Sequence, residues 1–162
     1  MVIPRIIPAV ASDVPLILQM IREFAEYEKL AHTVTATEER LYETLFGPKP
    51  AAETILAYWE KECAGFAVYF QTYSTFLAGQ GLYLEDVYVK PHLRGNGIGL
   101  AFLKHLASIA TERGYQRMEW GVLNWNESAI RFYKQLGAVP MDDWTKYRLG
   151  HPAIKDLARI RE

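Results

Sequence analysis

The fold is decided by residues 83–106, YLEDVYVKPHLRGNGIGLAFLKHL, where a strand pattern and a helix pattern meet at three alternate glycines. The aliphatic and aromatic residues over positions 81–89 predict a strand. The apolar run after the glycines, Leu100 to Ala110, predicts a helix that ends near Arg113, because Gly114 is a typical helix stop. Glycines between a strand and a helix allow positive φ angles and let a ligand approach the backbone closely.

The rest of the chain places further strand and helix patterns around this stretch. We predict strands that end at Pro8 and that cover residues 53–60, 63–72, 116–123 and 144–149. Helices are predicted from Val14 and over residues 37–46, 126–136 and 152–161. This order predicts an α/β fold, with one domain over residues 1–162 and a mixed central sheet that has helices on both faces.

Composition restricts the classes of function. The chain has 162 residues, half of them hydrophobic, a formal net charge of −1 and one cysteine, Cys63. Without a basic excess, nucleic acid is not an expected partner. A single cysteine excludes an intrachain disulfide and fits a reducing compartment. Pro4, Arg5 and Pro8 interrupt the apolar start of the chain, and no run approaches the ~20 apolar residues of a membrane span. We therefore expect a cytoplasmic protein without a membrane partner.

The glycine loop RGNGIG, residues 94–99, has the properties of an anion site. The first N–H groups of a helix lack internal partners and lie at the positive end of its dipole, so they attract phosphate. The dinucleotide fingerprint fails because Leu100 or Phe102 stands where its last glycine is required. The P-loop fails because no Gly-Lys-Ser/Thr sequence follows. On the loop alone, an anion site and a plain glycine turn both stay open.

The loop and three other segments together resemble a known family. The loop pattern Arg94-x-x-Gly97-x-Gly99 after a strand resembles the acetyl-coenzyme A loop of the GNAT acetyltransferase superfamily. The matches run in the same order as in diamine (spermidine/spermine) acetyltransferases: Tyr27-Glu28, Leu84-Glu85-Asp86, the loop, and Trp125-Asn126-Glu127 leading to Phe132-Tyr133-Lys134. The resemblance implies a sheet of about seven strands that is splayed between the fourth and fifth strands.

The same resemblance implies acetyl-coenzyme A as co-substrate and no metal. The four histidines are scattered and have no metal-site spacing. The loop would hold the pyrophosphate, and a backbone N–H near Val87 would stabilise the thioester oxygen. The implied cofactor-binding residues are Val87, Tyr88, Val89, Arg94, Gly95, Asn96, Gly97, Ile98, Gly99, Asn126 and Tyr133.

Transfer to an amine requires removal of a proton from a group whose pKa is about 10.4, and stabilisation of the departing thiolate. The resemblance implies Tyr133 as the acid and Glu85 as the base or proton relay. The alternative for Tyr133 is an aromatic residue packed on the sheet, and the alternative for each strand acid is pairing with an arginine such as Arg117 or Arg131. Cys63 lies on an apolar strand and is predicted to be core, not a nucleophile.

The predicted acceptor is a small cationic primary amine, like a polyamine or diamine, attacked directly in a ternary complex. The acceptor residues are Tyr27, Glu28, Phe76, Glu85 and Asp86, where acids and aromatic faces attract a cation. At the position aligned with Phe76 the polyamine family usually has tryptophan, which leaves thialysine, lysine-like amino acids or protein amines as alternative acceptors. A non-catalytic acyl-coenzyme A sensor is the second alternative. The family resemblance also implies a homodimer through residues 150–162.

Overall fold

The computed structural model describes residues 2–160, in two compact units that meet in sequence between Leu123 and Asn124. In the first unit the elements are β1 (Arg5–Pro8), α1 (Val14–Tyr27), α2 (Glu38–Phe46), β2 (Glu53–Trp59), β3 (Glu62–Ser74), β4 (Gly79–Val89), α3 (Ile98–Glu112) and β5 (Met118–Trp120). In the second unit they are α4 (Glu127–Gln135) and α5 (His151–Leu157). The single domain over residues 1–162 stays a prediction, and each unit is described separately.

One sheet of five strands, in the order β1-β2-β3-β4-β5, forms the centre of the first unit. The first four strands are antiparallel neighbours, and β4 pairs with β5 in parallel. A parallel pair needs a long crossover, and here the donor loop, residues 94–99, and α3 provide it. The mixed α/β sheet is confirmed, whereas the expectation of about seven strands is wrong.

The shortfall comes from the carboxyl-terminal third of the chain. Residues 144–149 alternate like a strand, but within the described residues they form none, and Trp144 and Tyr147 are 75% and 90% exposed. A strand exists only where a neighbouring backbone accepts and donates its hydrogen bonds, which a sequence pattern does not supply. The predicted helix over residues 152–161 is observed as α5, and its last residue lies outside the described part of the chain.

The predicted strand over residues 116–123 is also shorter than expected. Its N–H and C=O groups reach β4 early, since the Gln116 N–H donates to the Gln80 carbonyl at 2.8 Å and the Arg117 carbonyl accepts from Leu82 at 2.9 Å. Regular pairing then covers only Met118–Trp120. The parallel partner strand therefore ends well before β4 does.

Helices cover both faces of the sheet. On one face, Ile17 and Met20 of α1 pack with Leu56, Phe66 and Tyr88 in a core that excludes water completely at the first four of these side chains. The opposite face is covered by α3, which contacts β1, β2 and β4. Burial of apolar side chains on both faces is the main force that fixes the sheet between its helices.

The lone cysteine belongs to the first of these cores. Cys63 is buried against Phe66 and Tyr88, and its thiol contacts the Gly65 carbonyl at 3.8 Å. Burial raises the pKa of the Cys63 thiol, which opposes formation of the nucleophilic thiolate. The prediction of a core role is confirmed.

Candidate active site

A β-bulge lies in β4 at the first of the two adjacent acids. Val68 of β3 pairs with Asp86, and the next residue, Tyr69, pairs with Leu84, so Glu85 is an extra residue with no cross-strand partner. Bulges bend a strand and re-aim its side chains. The strict alternation of side chains along β4 is therefore broken at Glu85.

The bulge changes which face each β4 side chain occupies. Residues paired across a ladder share a face. Asp86 follows Val68 and Tyr88 follows Phe66 onto the α1 face, where Val68, Phe66 and Tyr88 contribute to the α1 core. Leu84 follows Tyr69 onto the opposite face. A regular strand would have put Leu84 and Asp86 together, so the bulge turns Asp86 towards α1.

The edge of β4 becomes open at the same point. Its parallel pairing with β5 ends with Leu84 opposite Trp120, while β4 continues to Val89. The backbone from Glu85 to Val89 is therefore not paired to β5. An unpaired strand edge offers N–H and C=O groups to an extended ligand. The residues expected to contact the pantetheine arm, Val87, Tyr88 and Val89, all lie on this segment.

Three carboxyl groups from two elements form an acid cluster: Glu28 at the end of α1, and Glu85 and Asp86 on β4. Burial, and then the negative charges of Glu85 and Glu28, raise the pKa of Asp86 from 3.8 to about 6. Burial also raises the pKa of Glu28. A paired arginine would have lowered the pKa of Asp86. Within the first unit Arg117 contacts Glu119 at 2.7 Å, and within the second unit Arg131 contacts Glu127 at 3.5 Å.

The donor loop forms a cradle of exposed backbone. Gly95 and Gly97 have φ angles of 83° and 76°, and among the described residues no heavy atom lies within 4 Å of where their Cβ atoms would stand. Gly97 is the N-cap of α3 and brings no side-chain hydrogen bond to it. The first N–H groups of α3, at Ile98 and Gly99, thus remain available to an anion. Binding of the coenzyme A pyrophosphate at this loop stays a prediction.

Side chains at the loop hold the loop itself. The Asn96 amide donates to the Leu93 carbonyl at 3.0 Å, and the Arg94 Nε donates to the Val89 carbonyl at 2.9 Å. The Arg94 guanidinium also lies over the Tyr27 ring, 4.2 Å from its centroid. The Asn96 contact helps the loop to keep its shape, and a contact of Asn96 with the cofactor stays a prediction.

Residues Asn126 and Tyr133 lie on α4 in the second unit. The Asn126 Oδ1 accepts the Ala129 N–H at 3.3 Å, which makes Asn126 the N-cap of α4. The Tyr133 ring lies 5.5 Å from the Phe132 ring, centroid to centroid. Beyond the helix, Gly137 has a φ of 86° and the Ala138 N–H returns to the Tyr133 carbonyl at 3.1 Å, as in a Schellman stop.

The structure brings most of the first unit's predicted residues together, but not Phe76. Tyr27 is next to Glu28 and touches the donor loop through Arg94. Phe76 is 96% exposed in the turn between β3 and β4. The six residue-to-residue steps from Gly79 to Glu85 span about 20 Å of strand, which separates that turn from the bulge. An acceptor contact at Phe76 stays a prediction.

Sequence reasoning missed one link beneath the site. The Tyr88 hydroxyl donates to the Glu23 carboxylate at 3.2 Å, which ties β4 to α1, and the Tyr88 ring packs 5.7 Å from Phe24. Burial and the charge of Glu23 raise the pKa of Tyr88 to about 12. Glu23 lies among polar residues of α1, and no local sequence signal distinguishes it from the exposed acids around it.

Two searches of the described residues found no further type of site. No helix among residues 2–160 is long and apolar enough to cross a membrane. Within the same residues, no three histidine, cysteine, aspartate or glutamate side chains are grouped to hold a metal ion.

Comparison with known proteins gives concordant results. The model of the Acetyltransferase (GNAT) family matches residues 17–138. The mouse thialysine N-epsilon-acetyltransferase is 39% identical over 95% of this chain and 96% of its own. A human spermidine/spermine N(1)-acetyltransferase-like protein is 32% identical over 93% of this chain, although only over 23% of its own length.

A solved structure supports the fold. An integron cassette protein of Vibrio cholerae superposes with a TM-score of 0.79 and 28% identity, over 97% of this chain and 98% of its own. The resemblance expected from the sequence is confirmed by the family model and by the mouse and human relatives. The family uses acetyl-coenzyme A as co-substrate. The chain is an N-acetyltransferase and belongs to the Acetyltransferase (GNAT) family.

Proposed function

We propose that the enzyme transfers acetyl to the primary amine of a small cationic acceptor, like a polyamine or diamine, by direct attack in a ternary complex. The observation that carries the proposal is the acid cluster. The cluster of Glu28, Glu85 and Asp86 lies where β4 is bulged and its edge is open. The two arginines considered as partners pair with other acids, Arg117 with Glu119 and Arg131 with Glu127. A cluster of carboxylates attracts an ammonium group and repels anionic acceptors.

The donor side is formed by backbone. Acetyl-coenzyme A, when bound, supplies the thioester carbonyl that the amine attacks. The N–H groups at Gly97, Ile98 and Gly99 hold its pyrophosphate at the start of α3, with Arg94, Gly95 and Asn96 shaping the turn. The open edge at Val87–Val89 pairs with the amides of the pantetheine arm and points an N–H towards the thioester oxygen.

The acceptor side is formed by side chains. Asp86 and Glu28 hold the ammonium group of the acceptor, and Glu85 removes the proton of the attacking nitrogen, directly or through water. The pKa of Asp86 is about 6, which lies closer to neutral pH than the pKa of an ordinary aspartate. Tyr133 donates the proton that the departing thiolate needs, and Asn126 holds the first turn of its helix.

A second acceptor class has an observation of its own. The mouse relative named for thialysine is 39% identical along nearly the whole chain, which supports a lysine-like amino acid with a distal primary amine. Such an acceptor adds a carboxylate to the ammonium group. The acid cluster favours the polyamine or diamine, because it would repel that carboxylate.

The assembly and compartment are part of the same proposal. We place the enzyme in the cytoplasm as a homodimer through residues 150–162, of which the last two lie outside the described part. Ile154, Leu157 and Ile160 are 52%, 57% and 73% exposed, which supports a role in association. Sedimentation equilibrium of the full chain tests the dimer.

The decisive experiment is release of coenzyme A thiol on mixing the protein and acetyl-coenzyme A with spermidine, spermine, putrescine, thialysine, lysine and ornithine. We expect turnover with at least one polyamine or diamine, at a higher kcat/KM than with any amino acid. A higher kcat/KM for thialysine would select the second class. Absence of turnover across the whole panel would refute both.

The role of Tyr133 has a separate test. Tyr133→Phe should lower kcat by about a hundredfold or more, since positioned acids contribute about 10²–10⁴-fold, and should leave the dissociation constant of coenzyme A nearly unchanged. Tyr147→Phe is the matched control, because Tyr147 is a 90% exposed tyrosine of the same unit. Parallel losses in turnover and coenzyme A affinity would identify Tyr133 as a packing residue.

A further inference from the structure

The Arg94 side chain connects the donor loop to α1, the helix that ends next to Glu28 of the acid cluster. Its Nε donates to the Val89 carbonyl at the end of β4, at 2.9 Å. Its guanidinium carbon lies 4.2 Å from the centroid of the Tyr27 ring and 6.0 Å from that of the Tyr88 ring. One side chain thus contacts the end of β4, at Tyr88 and Val89, and the last residue of α1, Tyr27.

The position of Tyr27 gives this contact a consequence for the acceptor. Tyr27 ends α1, and Glu28 of the acid cluster is the next residue and the C-cap of that helix. The chain then turns sharply, because Lys29 has a φ of 62° and its N–H donates to the Glu26 carbonyl at 3.0 Å. A group that fixes the Tyr27 ring therefore fixes the short segment that aims Glu28.

We infer that Arg94 is a positioning residue for the amine acceptor, which acts through its stack on Tyr27 rather than by holding the donor phosphate. This inference rests on the proposed function, since it assigns Tyr27 and Glu28 to the acceptor side. It also changes the role of Tyr27. At least one face of its ring is covered by Arg94, so Tyr27 supports the acceptor pocket by holding Glu28 in place.

The inference predicts an unusual distribution of kinetic effects. Arg94→Gln should raise the KM of the acceptor about threefold to fivefold, the range expected for loss of an exposed cation–π contact. Its effect on the KM of acetyl-coenzyme A should be smaller, because the loop binds through backbone N–H groups. The measurement uses the full-length enzyme with spermidine and with thialysine as acceptor probes.

A double-mutant cycle separates the two possible roles of Tyr27. If Arg94 and Tyr27 act as one unit, Tyr27→Leu should match Arg94→Gln in acceptor KM, and the double variant should be no worse than either. If Tyr27 binds the amine directly, the two effects should multiply.

The matched control is a second arginine–tyrosine contact away from the loop. The Arg5 guanidinium lies 5.2 Å from the centroid of the Tyr58 ring, between β1 and β2 on the far side of the sheet. Arg5→Gln should leave both KM values unchanged. Unfolding in urea and calorimetric titration with coenzyme A, done for every variant, report stability and donor affinity without turnover.

Different outcomes would overturn the inference about Arg94 and the proposed function. An acetyl-coenzyme A KM or coenzyme A dissociation constant that rises more than the acceptor KM in Arg94→Gln would overturn the inference and make Arg94 a phosphate ligand. Multiplicative effects in the cycle would also overturn it. Wild-type enzyme that is inactive with every amine would refute the proposed function, before any variant is compared.

Discussion

The donor loop and the acid cluster lie close in sequence but are built on opposite principles. The donor loop consists of backbone in a conformation that two glycines permit, with φ angles of 83° and 76°. The acid cluster consists of side chains that come from two distant elements, the end of α1 and the bulge of β4. The donor loop depends on the absence of side chains at its glycines, and the acid cluster depends on the charged side chains that meet there.

This difference has a cost in stability on one side only. Glycine in a left-handed conformation is unstrained, so the donor loop keeps its shape without steric cost to folding. Asp86 and Glu28 are partly removed from water, and the charges of Glu85 and Glu28 repel the charge of Asp86, which opposes folding. Functional groups are often kept at such a cost.

The largest expected effect is a gain in stability from Asp86→Asn. The folded pKa of Asp86, about 6, lies above the ordinary 3.8, so the native state binds the proton more tightly than the unfolded chain does. This group therefore lowers the free energy of unfolding as pH rises from about 4 to 6. The shift corresponds to about 3 kcal/mol at pH 7. Asp86→Asn should recover up to that amount at pH 7 and almost none at pH 4.

Urea unfolding at both pH values measures this gain. Glu26→Gln removes the same unit of charge from an exposed position on α1 and serves as the control. The control should change stability little at either pH. If Asp86→Asn were no more stable than the wild type at pH 7, the acid cluster would not be strained and the contrast with the donor loop would fail.

The second effect is a loss of acceptor binding in the same variant. Asp86→Asn should raise the acceptor KM about tenfold at pH 7.5, since a hydrogen bond to a charged group contributes about 1.5–3 kcal/mol. The KM of acetyl-coenzyme A should change far less. In the wild type, kcat/KM for the acceptor should fall as pH decreases through about 6, because Asp86 loses its charge there.

This inflection near pH 6 should be absent from the pH profile of Asp86→Asn. Glu85→Gln tests the proton relay independently, because its loss should lower kcat rather than raise the acceptor KM. A pH profile with the same inflection in wild type and Asp86→Asn would assign that titration to another group. Equal rises in both substrate KM values would indicate general damage to the site.

The third effect belongs to the donor loop and uses the two ends of α3. Gly97 at its start and Gly114 beyond its end have φ angles of 76° and 69°, and both have open space where a Cβ would stand among the described residues. Alanine at either position should cost about 1 kcal/mol of stability. Only Gly97→Ala should also raise the KM of acetyl-coenzyme A, about fivefold, if the loop loses its shape by the same free energy.

Initial rates with varied acetyl-coenzyme A at saturating acceptor measure this difference. Gly114→Ala is the strain control, since it changes the same helix at its opposite end. Equal donor KM values in the two variants would show that the conformation of Gly97 is not used by the donor. The contrast between backbone and side-chain sites would then lose its donor half.

The sequence predicts these two regions to different depths. The donor loop is a local property, because a strand, three spaced glycines and an apolar helix are contiguous and their geometry follows from residue type. The acid cluster is not local. Strict alternation would send Glu85 and Asp86 to opposite faces, and the turn of Asp86 towards α1 depends on a bulge whose exact position follows from the pairing of β4 with Val68 and Tyr69.

Long-range pairing also explains the larger errors. Residues 144–149 have the alternation of a strand but form none in the described chain, because strand formation depends on a partner edge. The stack of Arg94 on Tyr27 joins residues far apart in sequence, and neither residue type signals the other. Fold class and family follow from local patterns, whereas the identity of the acceptor depends on contacts of this second kind.

The smallest expected effect concerns Phe76, whose turn lies far along β4 from the acid cluster. Phe76 is 96% exposed, and about 20 Å of strand separates its turn from the bulge. If the acceptor pocket is completed by one chain, Phe76→Ala should change the acceptor KM by less than about twofold, the range of exposed substitutions. Leu77→Ala, a half-exposed neighbour in the same turn, is the control.

A tenfold rise specific to Phe76→Ala would require the turn of a second chain to reach the acid cluster, so the pocket would be a property of the dimer. Repeating the measurement at protein concentrations on either side of the dimer's dissociation constant would then separate the two cases, because a shared pocket weakens on dilution and a pocket within one chain does not.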